Sequence, residues 1–306
     1  MLEIKNLTKK FGIITALNEI SLSINRGEFF GLLGPNGAGK STLMDLIIGY
    51  SFPDSGHIIL EDETILFNNI EIKKKIGYVP QEISLYKDFT AFQNLEIFGR
   101  FFGLKGNVLK SRINEVLELV QLETRAKSKV EEFSGGMKRR LNLAASILHN
   151  PGLILCDEPT VGVDPQSRNA IFEMLKKLNS EGKTIIYTTH YMEEAERLCS
   201  KMAIIDNGKI IAEGNLKDLI NKAGNKEKVK IIKNRETEKF CNEFKEMGIF
   251  SENEYYYEIL PEKKYESLSV LFGRFENLEI KKGYIEMQRP ALEDVFLTLT
   301  GRSLRD

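Results

Sequence analysis

The sequence predicts an α/β chain: a mainly parallel β-sheet built round a phosphate-binding loop, interrupted by a helical segment and followed by a small α/β domain. Three observations carry this. Residues 34–41 read GPNGAGKS, a match to G-x-x-x-x-G-K-[ST], set between an apolar strand pattern and a short helical one. A second buried run, Leu153-Ile154-Leu155-Cys156, ends on Asp157 and Glu158. The stretch between, about 83–150, has helical periodicity.

In residues 1–82, Ser21 to Asn25 and His57 to Leu60 alternate as short strands. Glu28 to Leu33 (EFFGLL) reads as a buried strand, and Ser41 to Ile48 as a short helix ended by Gly49. This region closes at Tyr78-Val79-Pro80-Gln81. In the helical stretch, Ala91 to Phe102 is apolar-periodic, and Val108 to Leu122 places Ile113, Val116, Leu117 and Val120 on one face. Residues 151–214 return to buried strands, Leu153–Cys156 and Thr184–Thr189, and end in a hairpin turning at Asn207-Gly208. Strand, helix, strand is the order of a mainly parallel sheet. Beyond Gly214, Asn221 to Lys230 (NKAGNKEKVK) predicts a polar, flexible link. Strand-like KVKIIK, YYYEIL and LEIKKGYIEM then alternate with helical patterns.

At 306 residues the chain exceeds one typical domain of ~150 residues. A formal charge of −1 with 28% charged residues gives no basic field, so nucleic acid is not an expected partner. Cys156, Cys199 and Cys241 have no metal-like spacing, and the start MLEIKNLTKK shows no apolar signal region, which predicts a reducing cytosol. No stretch reaches the roughly 18 apolar residues that cross a bilayer. A membrane role therefore requires a partner chain.

The loop's residue types follow from its chemistry. Gly34, Gly37 and Gly39 let backbone N–H groups converge on an anion, with Pro35, Asn36 and Ala38 between them. Lys40 adds a flexible positive charge for the outer phosphates, and the Ser41 hydroxyl can ligate Mg²⁺. Thr42 follows in the helix whose N-terminus also favours anions. Asp157 and Glu158 emerge at the end of a buried strand, where ligands of this sheet class bind. One carboxylate can hold Mg²⁺ while the other orients attacking water.

Seven ordered motifs over residues 1 to about 214 resemble the ATP-binding cassette (ABC) ATPases. In that resemblance Phe11 is the aromatic that stacks on adenine, GPNGAGKS the Walker A loop and Gln81 the glutamine loop. Ser134-Gly135-Gly136-Met137 is the signature, with Phe133 where Leu is usual and Met137 where Gln is usual. The helix Lys138 to Leu148 is read as following it. Leu153–Asp157 is Walker B, Glu158 the catalytic glutamate, Asp164 the D-loop aspartate and His190 the switch histidine. His57 and His149 match nothing.

The resemblance implies a P-loop NTPase fold of ABC nucleotide-binding type, with an antiparallel β subdomain and a helical subdomain, over residues 1–220. Residues 221–306 form a small C-terminal accessory α/β domain. It implies an Mg-dependent ATPase in which ATP and Mg²⁺ bind one subunit and the signature of a second subunit closes in trans. Lys40, Ser41, Gln81, Asp157, Glu158 and His190 are the expected catalytic and metal-binding groups. The tail, Arg289 to Phe296 with Leu299-Thr300-Gly301-Arg302, resembles daunorubicin-resistance-type exporter ATPases. Those pair with a separate transmembrane permease, so the expected place is the cytoplasmic face of the cell membrane. The alternative, a soluble ABC ATPase acting on ribosomes or DNA, predicts two cassettes, a long coiled-coil insert or a basic patch, and none is evident. A binding protein with a decayed site is disfavoured because Lys40, Asp157, Glu158 and His190 are all present.

Overall fold

The computed structural model describes residues 1–66, 69–224, 227–262, 265 and 267–301. The backbone divides into two units, Met1–Leu216 and a second from Lys217 onward. The first contains β1 (Leu2–Phe11), β2 (Ile14–Ile24), β3 (Phe29–Leu33), α1 (Lys40–Ile47), β4 (Ser55–Leu60), β5 (Glu63–Thr64), α2 (Ile70–Lys73) and β6 (Ile76–Val79). It continues through α3 (Ala91–Phe101), α4 (Gly106–Leu119), α5 (Gly135–Ile147), β7 (Leu153–Asp157) and α6 (Pro165–Ser180). β8 (Thr184–Thr189), α7 (Met192–Leu198), β9 (Lys201–Asp206) and β10 (Lys209–Gly214) complete it.

One sheet is antiparallel, in the order β2-β1-β4-β5. The other runs β10-β9-β3-β8-β7-β6, and only the edge strand β10 is antiparallel. Every residue of β3, β7 and β8 is buried, as expected of parallel strands covered on both faces. Alternate residues feed two cores. Phe30, Leu32, Leu153, Leu155 and Ile186 pack with α1 and the antiparallel sheet, while Phe29, Ile154, Cys156, Ile185 and Tyr187 join the helices α3 to α6. The register Leu33↔Thr189 and Asp157↔Thr188 aligns the carboxyl ends of β3, β7 and β8. The phosphate loop, Asp157-Glu158 and His190 therefore leave the sheet at one edge.

The second unit contains α8 (Leu216–Ala223, starting at the boundary), β11 (Lys228–Ile232), α9 (Cys241–Lys245), β12 (Gly248–Glu252), β13 (Tyr256–Pro261), α10 (Leu268–Asn277), β14 (Ile285–Gln288) and α11 (Leu292–Thr300). Its antiparallel sheet has the order β12-β13-β11-β14. Val229, Ile231, Phe244, Met247, Tyr257, Ile259, Leu271 and Phe275 form its own core. No helix among the described residues is long and apolar enough to cross a membrane.

Three local expectations need correction. The helix after the signature begins at Gly135, three residues before Lys138, because Ser134 caps it by accepting the Met137 N–H at 3.2 Å. The link Asn221–Lys230 is largely structured: Asn221 to Ala223 end α8 and Lys228 begins β11, while Asn225 and Lys226 lie outside the described residues. In LEIKKGYIEM only Ile285 onward is strand. Leu278 caps α10, and the Ile280 N–H returns to the Phe275 carbonyl, so helix closure consumes the apolar alternation there.

Candidate functional site

The phosphate loop joins β3 to α1 through backbone that only glycine fits. A Cβ at Gly34 would stand 2.2 Å from the Ile205 carbonyl oxygen. At Gly39, φ is 110° and a Cβ would approach the Ala16 carbonyl to 2.6 Å. These close approaches carry the loop over β9 and β2 and into the first turn of α1, whose unpaired N–H groups favour anions. Asn36 and Gly37 are exposed, Pro35 is half-buried and Ala38 is buried. Lys40 is only 5% exposed; its Nζ donates to the Gly34 and Pro35 carbonyls at 2.8 and 3.1 Å. Ser41 is exposed at the helix start, with Thr42 half-buried beside it.

Two carboxylates face this loop. Glu158 Oε1 lies 3.3 Å from Lys40 Nζ, and its Oε2 lies 3.1 Å from His190 Nδ1. Glu158 is 7% exposed and has φ 44°, a left-handed conformation uncommon outside glycine and frequent at functional sites. Its N–H donates to Thr188 Oγ1 at 2.9 Å, and the same hydroxyl donates to Asp157 Oδ1 at 2.6 Å. One threonine thus holds the Asp157 carboxylate and the Glu158 backbone together. Asp157 is 3% exposed, and no basic side chain of the described residues pairs with it. Burial and the Asp157 charge raise the pKa of Asp45, and the Tyr78 phenol is pushed above its ordinary value by the same two causes in the same order. A buried carboxylate with no basic partner is a donor that suits a hard cation.

The side chains of the remaining predicted residues make no hydrogen bond or ion pair with this cluster among the described residues. Phe11 ends β1 with its ring half-exposed and Lys9 Nζ 5.3 Å from the ring centroid. Gln81 is exposed; its carbonyl accepts from Arg139 Nη1, while Arg139 Nη2 donates to the Val161 carbonyl at 3.2 Å. Ser134 and Gly135 are exposed at the start of α5, Met137 is half-buried, and Gly136 is buried against α6. A Cβ on Gly136 would meet Ser167 Oγ at 2.1 Å and Asp164 Oδ2 at 3.4 Å. Asp164 caps α6 by accepting the Ser167 N–H at 2.9 Å, and that backbone bond leads the causes holding its pKa low. Lys40, Asp157, Glu158 and His190 therefore form one cluster within the chain. Gly136 and Asp164 form a second contact, with Ser134 and Gly135 presented outward.

Residues 17–161 match the sequence model of the ABC transporter family. Over its full length the chain is 43% identical to the linearmycin resistance ATP-binding protein LnrL of Bacillus subtilis (strain 168), with 100% of each chain covered. The chain belongs to the ABC transporter family.

The Nod factor export ATP-binding protein I of Cupriavidus pinatubonensis is 41% identical, with 100% of this chain and 92% of that one covered. Among solved structures, an ATP-binding cassette in a dimeric post-hydrolysis state bound to ADP and Pi superposes with a TM-score of 0.64 at 32% identity. It covers 70% of this chain, and 98% of that cassette is matched. The P-loop NTPase fold, the ATPase activity and the exporter-type kinship of this ABC subunit are thereby established. The ribosome- or DNA-acting alternative is not favoured by these relatives. Three residues of this ABC ATPase's site carry no motif signal of their own: Thr188, Tyr78 and Arg139. Thr188 could have been suspected as one of the paired threonines closing a buried strand, TIIYTT.

Proposed function

We propose that this ABC ATPase powers export through a separate transmembrane permease, by ATP-driven closure of a head-to-tail homodimer at the cytoplasmic face of the cell membrane. ATP would lie on the phosphate loop of one subunit, with adenine on Phe11 and the Ser134-Gly135-Gly136-Met137 segment of the second subunit over the γ-phosphate. Exposure of Ser134 and Gly135 on the chain supports a role in trans. The observation that carries the hydrolytic reading is Glu158 held between Lys40 and His190. An arriving phosphate competes with Glu158 and the Gly34 and Pro35 carbonyls for Lys40, leaving the carboxylate to polarise water while His190 meets the γ-phosphate. Asp164 would link the subunits.

Mg²⁺ fits the donor set of Asp157, the Ser41 hydroxyl and the Gln81 amide, a set that phosphate oxygens and water complete. When bound, it would neutralise charge on the phosphates. Residues 1–220 would carry this chemistry and 221–306 an accessory role. The names of the relatives, linearmycin resistance and Nod factor export, support an export direction. Glu158→Gln is the deciding variant: MgATP binding persists, turnover falls by about 10²-fold or more, and an ATP-bound dimer accumulates in size-exclusion chromatography. Unchanged turnover overturns the assignment of Glu158. Purification of the full chain from membranes without a multi-span partner overturns the permease coupling.

A further inference from the structure

Glu194, on α7, is 3% exposed and has no part in the chemistry assigned above. Hydroxyls saturate its carboxylate. Thr160 Oγ1 lies 2.9 Å from Oε1 and 3.0 Å from Oε2, and Oε2 also accepts from Tyr187 at 2.8 Å and Thr189 at 3.0 Å. An ionised carboxylate only accepts, so three converging hydroxyl donors match it in number and direction. Arg168 Nε stands 3.6 Å from Oε1, and the Arg168 guanidinium also lies 5.6 Å from the Tyr191 ring centroid. Burial first, and then the Glu194 charge, raise the Tyr187 phenol well above its ordinary pKa.

The donors come from segments that bear the site. Thr160 follows Glu158 by two residues and precedes Asp164 by four. Thr189 adjoins His190, and its hydroxyl also accepts the Tyr191 N–H at 2.9 Å. Arg168 lies on α6, the helix that Asp164 caps. A single buried carboxylate therefore ties the Glu158–Asp164 segment to the His190 segment.

Building on the site reading above, we infer that Glu194 is a positioning residue for hydrolysis, clamping the Asp164 segment to the His190 segment so that the His190–Glu158 hydrogen bond stays aligned. Among the described residues it makes no hydrogen bond or ion pair with the phosphate loop, so its loss should act on turnover and spare ATP binding. The bland alternative is a satisfied structural carboxylate, whose loss would lower melting temperature and leave turnover per folded molecule intact.

The test is steady-state ATP hydrolysis by the full chain carrying Glu194→Gln, Thr160→Val or both, with Glu158→Gln in parallel. Each single variant is expected to lower kcat about tenfold or more while the KM for ATP stays within about twofold. The double variant should be no slower than the worse single, because both break one link. A folded Glu194→Gln with kcat within about twofold of the parent, or single losses that multiply in the double, overturns the inference. If Glu194→Gln does not fold, Thr160→Val alone decides, and unchanged kcat there overturns it. Unchanged turnover in Glu158→Gln removes the underlying site reading instead; a slow Glu158→Gln beside a normal Glu194→Gln overturns only the clamp.

Discussion

Thr188 contributes one hydroxyl, yet that hydroxyl serves the Glu158 N–H and Asp157 Oδ1 at once. Thr188→Val keeps the shape and leaves a buried donor and a buried carboxylate oxygen short of a partner. The expected cost is about 1–3 kcal/mol, read as a lower urea midpoint at unchanged slope, with Thr188→Ser retaining most of the stability. A Val variant as stable as its parent would remove Thr188 from the site's support. His149 allows a pH prediction. Its ring stacks on Phe102 at 3.6 Å, Nε2 donates to the Ile76 carbonyl at 3.0 Å, and Nδ1 is buried without a hydrogen-bond partner among the described residues. Burial lowers its pKa from 6.5 to about 4. The unfolded chain thus binds a proton that the folded chain refuses between these values, so His149 stabilises fully above 6.5 and progressively less as pH falls toward 4. Melting temperature should drop across that window, and less steeply in His149→Gln. Single residues of this kind were the hardest to read from sequence, because Thr188 and His149 act through partners thirty or more positions away. Lys40, Asp157, Glu158 and His190 were legible because each sits at a strand end or loop whose local pattern announces it.

The elements were legible where a full period fits, as in β3, α3 and α4, and less so where a boundary depends on a cap. Gly135 and Gly136 have poor helix propensity, but the first turn needs few internal hydrogen bonds, so Ser134 starts α5 there. β12 was illegible for a different reason: an edge strand of five residues with only half-buried or exposed side chains carries little alternation. The tail motif resolves into ordinary helix signals. The Ala291 N–H donates to Asp294, Leu292, Val295 and Phe296 are buried, and Gly301 ends α11 at φ 72°, with Arg302 outside the described residues. At this scale Gly136 matters as spacing between α5 and α6. Gly136→Ala drives a Cβ into Ser167, whose own Cβ would be only 2.5 Å away. We expect about 1–3 kcal/mol of destabilisation and slower ATP turnover, both recovered in the double variant with Ser167→Gly. Failure of that double variant to recover would show that Gly136 matters for something other than the α5–α6 approach.

At the scale of the molecule, the cluster of Lys40, Asp157, Glu158 and His190 lies in the unit Met1–Leu216, while the unit from Lys217 onward has a separate core. Ligand that binds only the folded first unit raises that unit's melting transition by mass action and leaves an independent transition in place. Phe244 supplies the probe. It is fully buried and packs on Tyr257 with ring centroids 5.5 Å apart. Truncation to Ala removes a buried ring and costs about 3–5 kcal/mol, a large share of the roughly 5–10 kcal/mol available to a unit of this size. Calorimetry of Phe244→Ala should therefore show a lowered, ATP-insensitive transition beside an unmoved transition that still rises with MgATP. ATP affinity should match the parent chain. A single merged transition, or loss of the ATP-induced rise, would mean that the second core underwrites the nucleotide site, and the accessory role given to residues 221–306 would fall.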